Sequence, residues 1–117
     1  MIIRIFMRKI VIVFFLISQV ANATSYIVAP SGNDRNTGIE SPFRTIQHGI
    51  NSLNAGDTLF VRNGVYSERI VITGKSATSD NPIVITAFAG EKPIIDGAGV
   101  DLGGEGNGLV VIYSPYI

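Results

Sequence analysis

Residues 42–72, PFRTIQHGINSLNAGDTLFVRNGVYSERIVI, change their hydrophobic period midway, and that change constrains the fold more than any other feature of the chain. In the first half Phe43, Ile46, Ile50 and Leu53 recur at the i, i+3, i+7 spacing of an amphipathic helix, with Arg44, His48 and Ser52 opposite. Ser41 and Pro42 form one N-cap and N1 pair, and Thr45 is a rival N-cap one turn later. Gly56 stands where a left-handed residue would end the helix. Past Gly56 the period falls to two. Leu59 and Val61 share one side of a strand over 58–62, and Ile70 and Ile72 share one side of a strand over 68–72. Asn63-Gly64 separates the two as a turn with positive φ.

The rest of the chain repeats the strand half. Residues 26–29 form a short apolar strand ended by Pro30, and 83–88, 94–95 and 109–113 form three more between loops rich in turn formers. Val61 to Ile85, Ile72 to Ile95 and Ile85 to Val110 are separated by about 23 to 25 positions, within the range of solenoid repeats. Brief strands at this period with no helix between them predict an all-β fold, a right-handed parallel β-helix in which inward residues stack coil on coil. The helix then becomes a cap over the N-terminal end, where core and sheet edges would otherwise be open. Only about two coils and a beginning can be counted, fewer than the roughly three a solenoid needs. Residues 24–117 are therefore expected to be the N-terminal cap and first coils of a longer β-helix, truncated at the C-terminus and continuing into further coils.

Arg4, Arg8 and Lys9 precede an apolar run over 10–17, and Ala21-Asn22-Ala23 follows in the A-x-A form of a secretory cleavage site. Residues 1–23 are expected to be a signal peptide cleaved after Ala23, which sends the chain to the periplasm or outside the cell. The apolar run is short of the roughly 20 residues a spanning helix needs, so no membrane span is expected in the mature chain. Both Met1 and Met7 make workable starts. Cleavage removes three of the nine basic residues and none of the nine acidic ones, which takes the net charge to −3. No basic patch interleaved with aromatics remains, so nucleic acid is not an expected partner. The absence of cysteine rules out disulfides and thiolate metal sites.

The segments SGND, PFRTIQ, GDTLFVRNGVY and KPIIDG, spread over 25–97, resemble the N-terminal region of secreted bacterial parallel β-helix proteins of the pectate-lyase-like superfamily. The resemblance is to the group of pectate lyases and chondroitinase B-like alginate lyases in particular. It implies a polysaccharide partner, an acidic glycan, and β-elimination next to a uronate in the full-length parent, with glycoside hydrolysis as the second choice. It also implies catalytic groups on later coils, where a calcium held by carboxylates, or an Arg, neutralises the uronate and a Lys or Arg base takes the C5 proton. No family catalytic residue falls on a position of this chain, and no cofactor or metal is expected within it. The rivals are a non-catalytic β-helix adhesin or carbohydrate-binding protein and a truncated remnant without activity.

Several side chains are nonetheless candidates. His48, the sole histidine, lies opposite the apolar stripe and is expected to face solvent, with no nucleophile setting beside it. Arg62, Arg69 and Lys75 have the charge to meet an anionic sugar polymer, but read as scattered surface cations. Asn33, Asp34, Asn36 and Glu40 cluster oxygens within one loop without the spacing of a calcium loop, and read as Asx-turns. Asp96 reads as a turn residue, and Asp101 and Glu105 as members of a solvated loop. The run GGEGNG lacks the Lys-Ser/Thr ending of a phosphate loop.

Overall fold

The computed structural model describes residues 22–104 and 107–117. Nearly all of the expected signal peptide lies outside these, as does Glu105. In order the elements are β1 (Ser25–Val28), α1 (Ile46–Ser52), β2 (Thr58–Val61), β3 (Val65–Tyr66), β4 (Ile70–Ile72), β5 (Val84–Ala87), β6 (Ile94–Ile95) and β7 (Val110–Ile112).

The start of α1 is fixed by Thr45, whose hydroxyl accepts from the His48 N–H at 3.3 Å, so the later of the two N-caps is the real one. Pro42 and Phe43 are not helical. Phe43 bridges in parallel to Val28, donating its N–H to Ile27 and accepting from Ala29 N–H. Its ring thus reaches the core from an extended segment, and the helical stripe proper is Ile46, Gly49 and Ile50 with Leu53 at the C-cap. Gly56 has φ of +86° but sits in the turn beyond that C-cap, where Asp57 N–H donates to Asn54. A helix of seven residues does not persist by itself in water. Burial of Ile46, Ile50 and Leu53 holds it, each contributing about 1.5–3 kcal/mol.

Both ends of α1 are tied to other segments. Asp34 accepts from Arg44 N–H, Thr45 N–H and the Thr45 hydroxyl at 2.8–2.9 Å. Glu68 accepts from Ile46 and Gln47 N–H at 3.0 and 2.8 Å. At the other end Lys75 Nζ donates to the carbonyls of Leu53 and Asn51 at 2.8 and 3.2 Å.

All the strand pairings are parallel. β2 lies between β1 and β5, β3 pairs with β6, and β4 pairs with β7. The chain therefore visits three sheets in the order β2, β3, β4 and visits them again in the same order as β5, β6, β7, laying the second circuit on the first. Leu59 and Val61 point inward with Tyr26 and Val28 of β1 and Ile85 of β5, as period-two alternation requires.

The register corrects the sequence-based one. Val61 faces Ala87 rather than Ile85, Ile72 faces Ile112 rather than Ile95, and Ile85 faces Leu59. Two effects account for this. A slip of two residues keeps every side chain on its own face, so apolar spacing does not distinguish Ile85 from Ala87 as the partner of Val61. In addition, Val65–Tyr66, to which the sequence reading assigned no element, is a strand, and its partner is Ile94–Ile95. The partner of β4 arrives only after the glycine-rich segment 97–108, so the repeat is longer there than elsewhere. Gly64, in the turn between β2 and β3, has φ of +141° and abuts the Pro30 ring, a position where any Cβ would collide.

Candidate functional site

The inward-facing side chains of the first circuit are buried and their partners in the second are not. Tyr66, Ile70 and Ile72 are at most 3% exposed, whereas the residues paired with them, Ile95, Val110 and Ile112, are 36–52% exposed. Between the second circuit and the core lies an apolar recess of about 340 Å³, walled by Ile70, Ile72, Ile85, Ile95, Val110 and Ile112. It is the open upper surface of the core. Its lining carries no charged side chain, so it offers hydrophobic contact and unpaired strand edges but no chemistry. The opposite end is covered by α1 and by residues 38–43 along β1.

The sequence-derived candidates do not converge on one place. His48 is half-buried rather than solvent-facing, its ring set edge-on to Phe43 with centroids 4.7 Å apart. The stripe drawn from Phe43 was misplaced because Phe43 is not part of the helix, and the side called polar meets its ring. Arg62 is held by Glu91 through Nε and Nη2 at 2.7–3.1 Å, and its guanidinium covers the Phe88 ring at 4.4 Å. Arg69 donates to the Gly108 carbonyl at 3.2 Å. Burial holds the Lys75 ammonium below its ordinary value, against the attraction of Asp57, but two of its donors already go to the end of α1. Each of the three cations thus has a partner within the chain.

Of the polar candidates Glu40 is exposed, and the others described bond to nearby backbone. Asn33 accepts from Arg35 N–H, and Asn36 donates to Pro42 C=O. Asp96 accepts from Ala98 N–H and Asp101 from Gly103 N–H, each closing a short turn. Asp34 does not close an Asx-turn but reaches across to the start of α1, so one of the four loop oxygens has a longer-range task than the sequence suggests. Among the described residues no three His, Cys, Asp or Glu side chains are grouped to hold a metal ion.

Two polar groups passed over in the sequence are central to the cap. Asp57, 3% exposed, accepts from Thr24 N–H and Asn54 N–H, both at 2.8 Å, and so joins the start of β1 to the turn before β2. Tyr66 is buried with its hydroxyl donating to Arg62 C=O at 2.7 Å. Burial first, then the charges of Glu68 and Glu91, push its pKa up to about 12, so it is a hydrogen-bond donor and not a base near neutral pH. An acid directly before a strand and a lone strand tyrosine are the only signals the sequence offered for either.

A family model described as a Pel9A-like, right handed beta helix region matches residues 26–116. The chain belongs to this family. The pectate-lyase-like resemblance drawn from SGND, PFRTIQ, GDTLFVRNGVY and KPIIDG thus holds at the family level. Over 94 residues this Pel9A-like chain is 38% identical to pectate lyase PEL9 of Emericella nidulans, covering 78% of the chain and 23% of that protein. Over 74 residues it is 36% identical to the uncharacterized protein YwoF of Bacillus subtilis, covering 62% of the chain and 16% of that protein. The Pel9A-like chain therefore spans less than a quarter of the length of either relative. Among solved structures it resembles XylC in complex with xylose, with a TM-score of 0.56 at 36% identity over 59% of the chain and 11% of that structure. It also resembles a rhamnogalacturonan lyase, with a TM-score of 0.60 at 23% identity over 76% of the chain and 25% of that structure, a likeness of fold alone. Among the described residues no helix is long and apolar enough to cross a membrane.

Proposed function

We propose that residues 24–117 are the N-terminal cap and first coils of an exported right-handed parallel β-helix protein that acts on polysaccharide, and that their task is to close and start the stack. The observation that carries this reading is the contrast between the two ends. One is covered by α1 and the 38–43 segment; at the other, β5, β6 and β7 have no strand on their outer sides among the described residues, and inward-facing Ile95, Val110 and Ile112 are 36–52% exposed. A next coil laid on β5, β6 and β7 would bury those side chains and supply the missing ladder bonds.

The chemistry belongs to the whole protein. The relative named as a pectate lyase supports lyase action on a uronate-containing glycan, with the acid-base groups on later coils. Glycoside hydrolysis is the second reading, supported by the likeness to a structure described as a glycoside hydrolase, with a TM-score of 0.57 at 28% identity. Carrying no catalytic group, this stretch would affect either activity only through folding.

The experiment is an assay of the native secreted or periplasmic protein for release of unsaturated uronates from pectic substrates, with and without added calcium. Release at the absorbance of the unsaturated product supports lyase action. Reducing ends without unsaturation favour hydrolysis. Binding to the polymer with neither product contradicts the enzyme reading and leaves a carbohydrate-binding β-helix.

A further inference from the structure

The loop over 30–42 is held against β1 more firmly than a connection requires. Asn33 N–H and the Asn36 side-chain amide both donate to Pro42 C=O, at 3.1 and 2.8 Å, and Gly38 N–H donates to Ser41 C=O at 2.9 Å. Gly38 has φ of +75° and lies where a Cβ would strike the Phe43 ring. Between this loop and the turn joining β2 to β3 is an outward-facing recess of about 380 Å³, which shares no wall with the apolar recess over the core. That volume is within the range of small-molecule sites. Apart from Glu91, its walls come from the loop, β1 and the first circuit, so a further coil laid on β5, β6 and β7 leaves it open.

Ile27, Pro30 and Pro42 give the recess an apolar wall, and the polar groups facing it are mostly unspent. Arg62 donates to Glu91 through Nε and Nη2, while Nη1 has no acceptor among the described residues. The same bonds hold the Glu91 carboxyl below its ordinary value, so the pair is ionised near neutral pH and its charges cancel. Asn63 accepts from Lys92 N–H through Oδ1 at 3.3 Å, which leaves Nδ2 as a donor. Glu40 is exposed and makes no ion pair among the described residues. The recess therefore combines donors at Arg62 and Asn63, an uncompensated carboxylate at Glu40 and an aliphatic wall.

A pyranose ring matches that set. Its hydroxyls donate to a carboxylate and accept from amide and guanidinium N–H, and its C–H face packs against proline. A uronate ring would bring a further negative charge beside Glu40 and Glu91, and like charges at close range are repulsive. We propose that this recess binds an uncharged pyranose unit of a glycan, with Glu40 accepting from its hydroxyls, Arg62 Nη1 and Asn63 Nδ2 donating to its oxygens, and Pro30 and Pro42 against its ring carbons. Such a site on the cap holds the protein to neutral parts of a mixed polysaccharide, apart from the acidic substrate assigned to later coils. It holds whether those coils carry out elimination, hydrolysis or neither.

The test is isothermal titration of the full-length protein with tetrasaccharides of galactose, glucose and xylose, and with tetragalacturonate. At least one neutral tetrasaccharide is expected to bind. Glu40→Ala, at an exposed position, is expected to weaken that binding about tenfold or more, as the loss of hydrogen bonds to a charged group implies. Glu40→Gln keeps an acceptor in the same place and is expected to fall between the two. The proposal is overturned if no neutral tetrasaccharide binds, or if Glu40→Ala binds as tightly as the unsubstituted protein. A loss of tetragalacturonate affinity in Glu40→Ala equal to the loss for the neutral sugar would also overturn it, because the recess would then take the acidic chain.

Discussion

Asp34 and Glu68 bring carboxylates from two distant loops to the start of a helix only seven residues long, where four N–H groups lack helical partners. Partial burial pushes the Asp34 carboxyl up, but the N–H and hydroxyl of Thr45, the Arg44 N–H and the charge of His48 together outweigh it, holding Asp34 below its ordinary value of 3.8. A carboxyl with a lowered folded-state pKa stabilises fully above its unfolded value and ceases to do so as pH falls through the folded one. The Arg44 and Thr45 amide resonances should therefore titrate together with a midpoint below 3.8, and Asp34→Asn should remove the transition. A midpoint at or above that value would contradict the contact. Asp57 is the more severe test because it is buried. Asp57→Ala strands the Thr24 and Asn54 donors and is expected to cost about 2–3 kcal/mol, read as a lower urea midpoint.

At the scale of elements, α1 works through its apolar face and through close approach. Gly49 faces Leu59, and an added Cβ would come within 2.8 Å of a Leu59 methyl in a fully buried position. Gly49→Ala is expected to destabilise by about 1–3 kcal/mol, although alanine favours helices, and a thermal melt showing stabilisation would put Leu59 elsewhere. Ile50→Asp should lower the soluble fraction rather than the specific activity of correctly folded protein. A soluble variant that lost only turnover would show that α1 belongs to a catalytic site. The existence of α1, of β1, β2 and β4 to β7 was legible from apolar spacing and from the turn formers that bound each run. The pairing register was not, because a two-residue slip leaves that spacing unchanged and because β3, two residues beside an Asn-Gly turn, is too short to show a period. The polar cap was legible only as motif letters. In PFRTIQ, Phe43 completes the β1 edge, Thr45 caps, Ile46 fills the core and Gln47 meets β4, yet these roles depend on distant partners, 15 residues away for Phe43 and 24 for Gln47. In SGND, Gly32 is required because a Cβ would strike the carbonyls of Pro42 and Phe43.

For the whole molecule, the decisive quantity is the contrast between a covered end and an open one. Asp57, Gln47 and the two helix-bracing carboxylates all act at the covered end, while Ile95, Val110 and Ile112, exposed on the inward side, mark the other. An apolar core surface left in water is unfavourable at about 25 cal/mol per Å², which favours any arrangement that covers it. The account assigns that place to further coils of the same polypeptide and the chemistry to those coils. Its most direct test is the mass of the native protein, recovered from the secreted or periplasmic fraction with an antibody to residues 24–97. A mass several times the 12.5 kDa of this chain is the predicted result. A mass at or slightly below 12.5 kDa would contradict it, leaving a small protein whose open end is covered by something else.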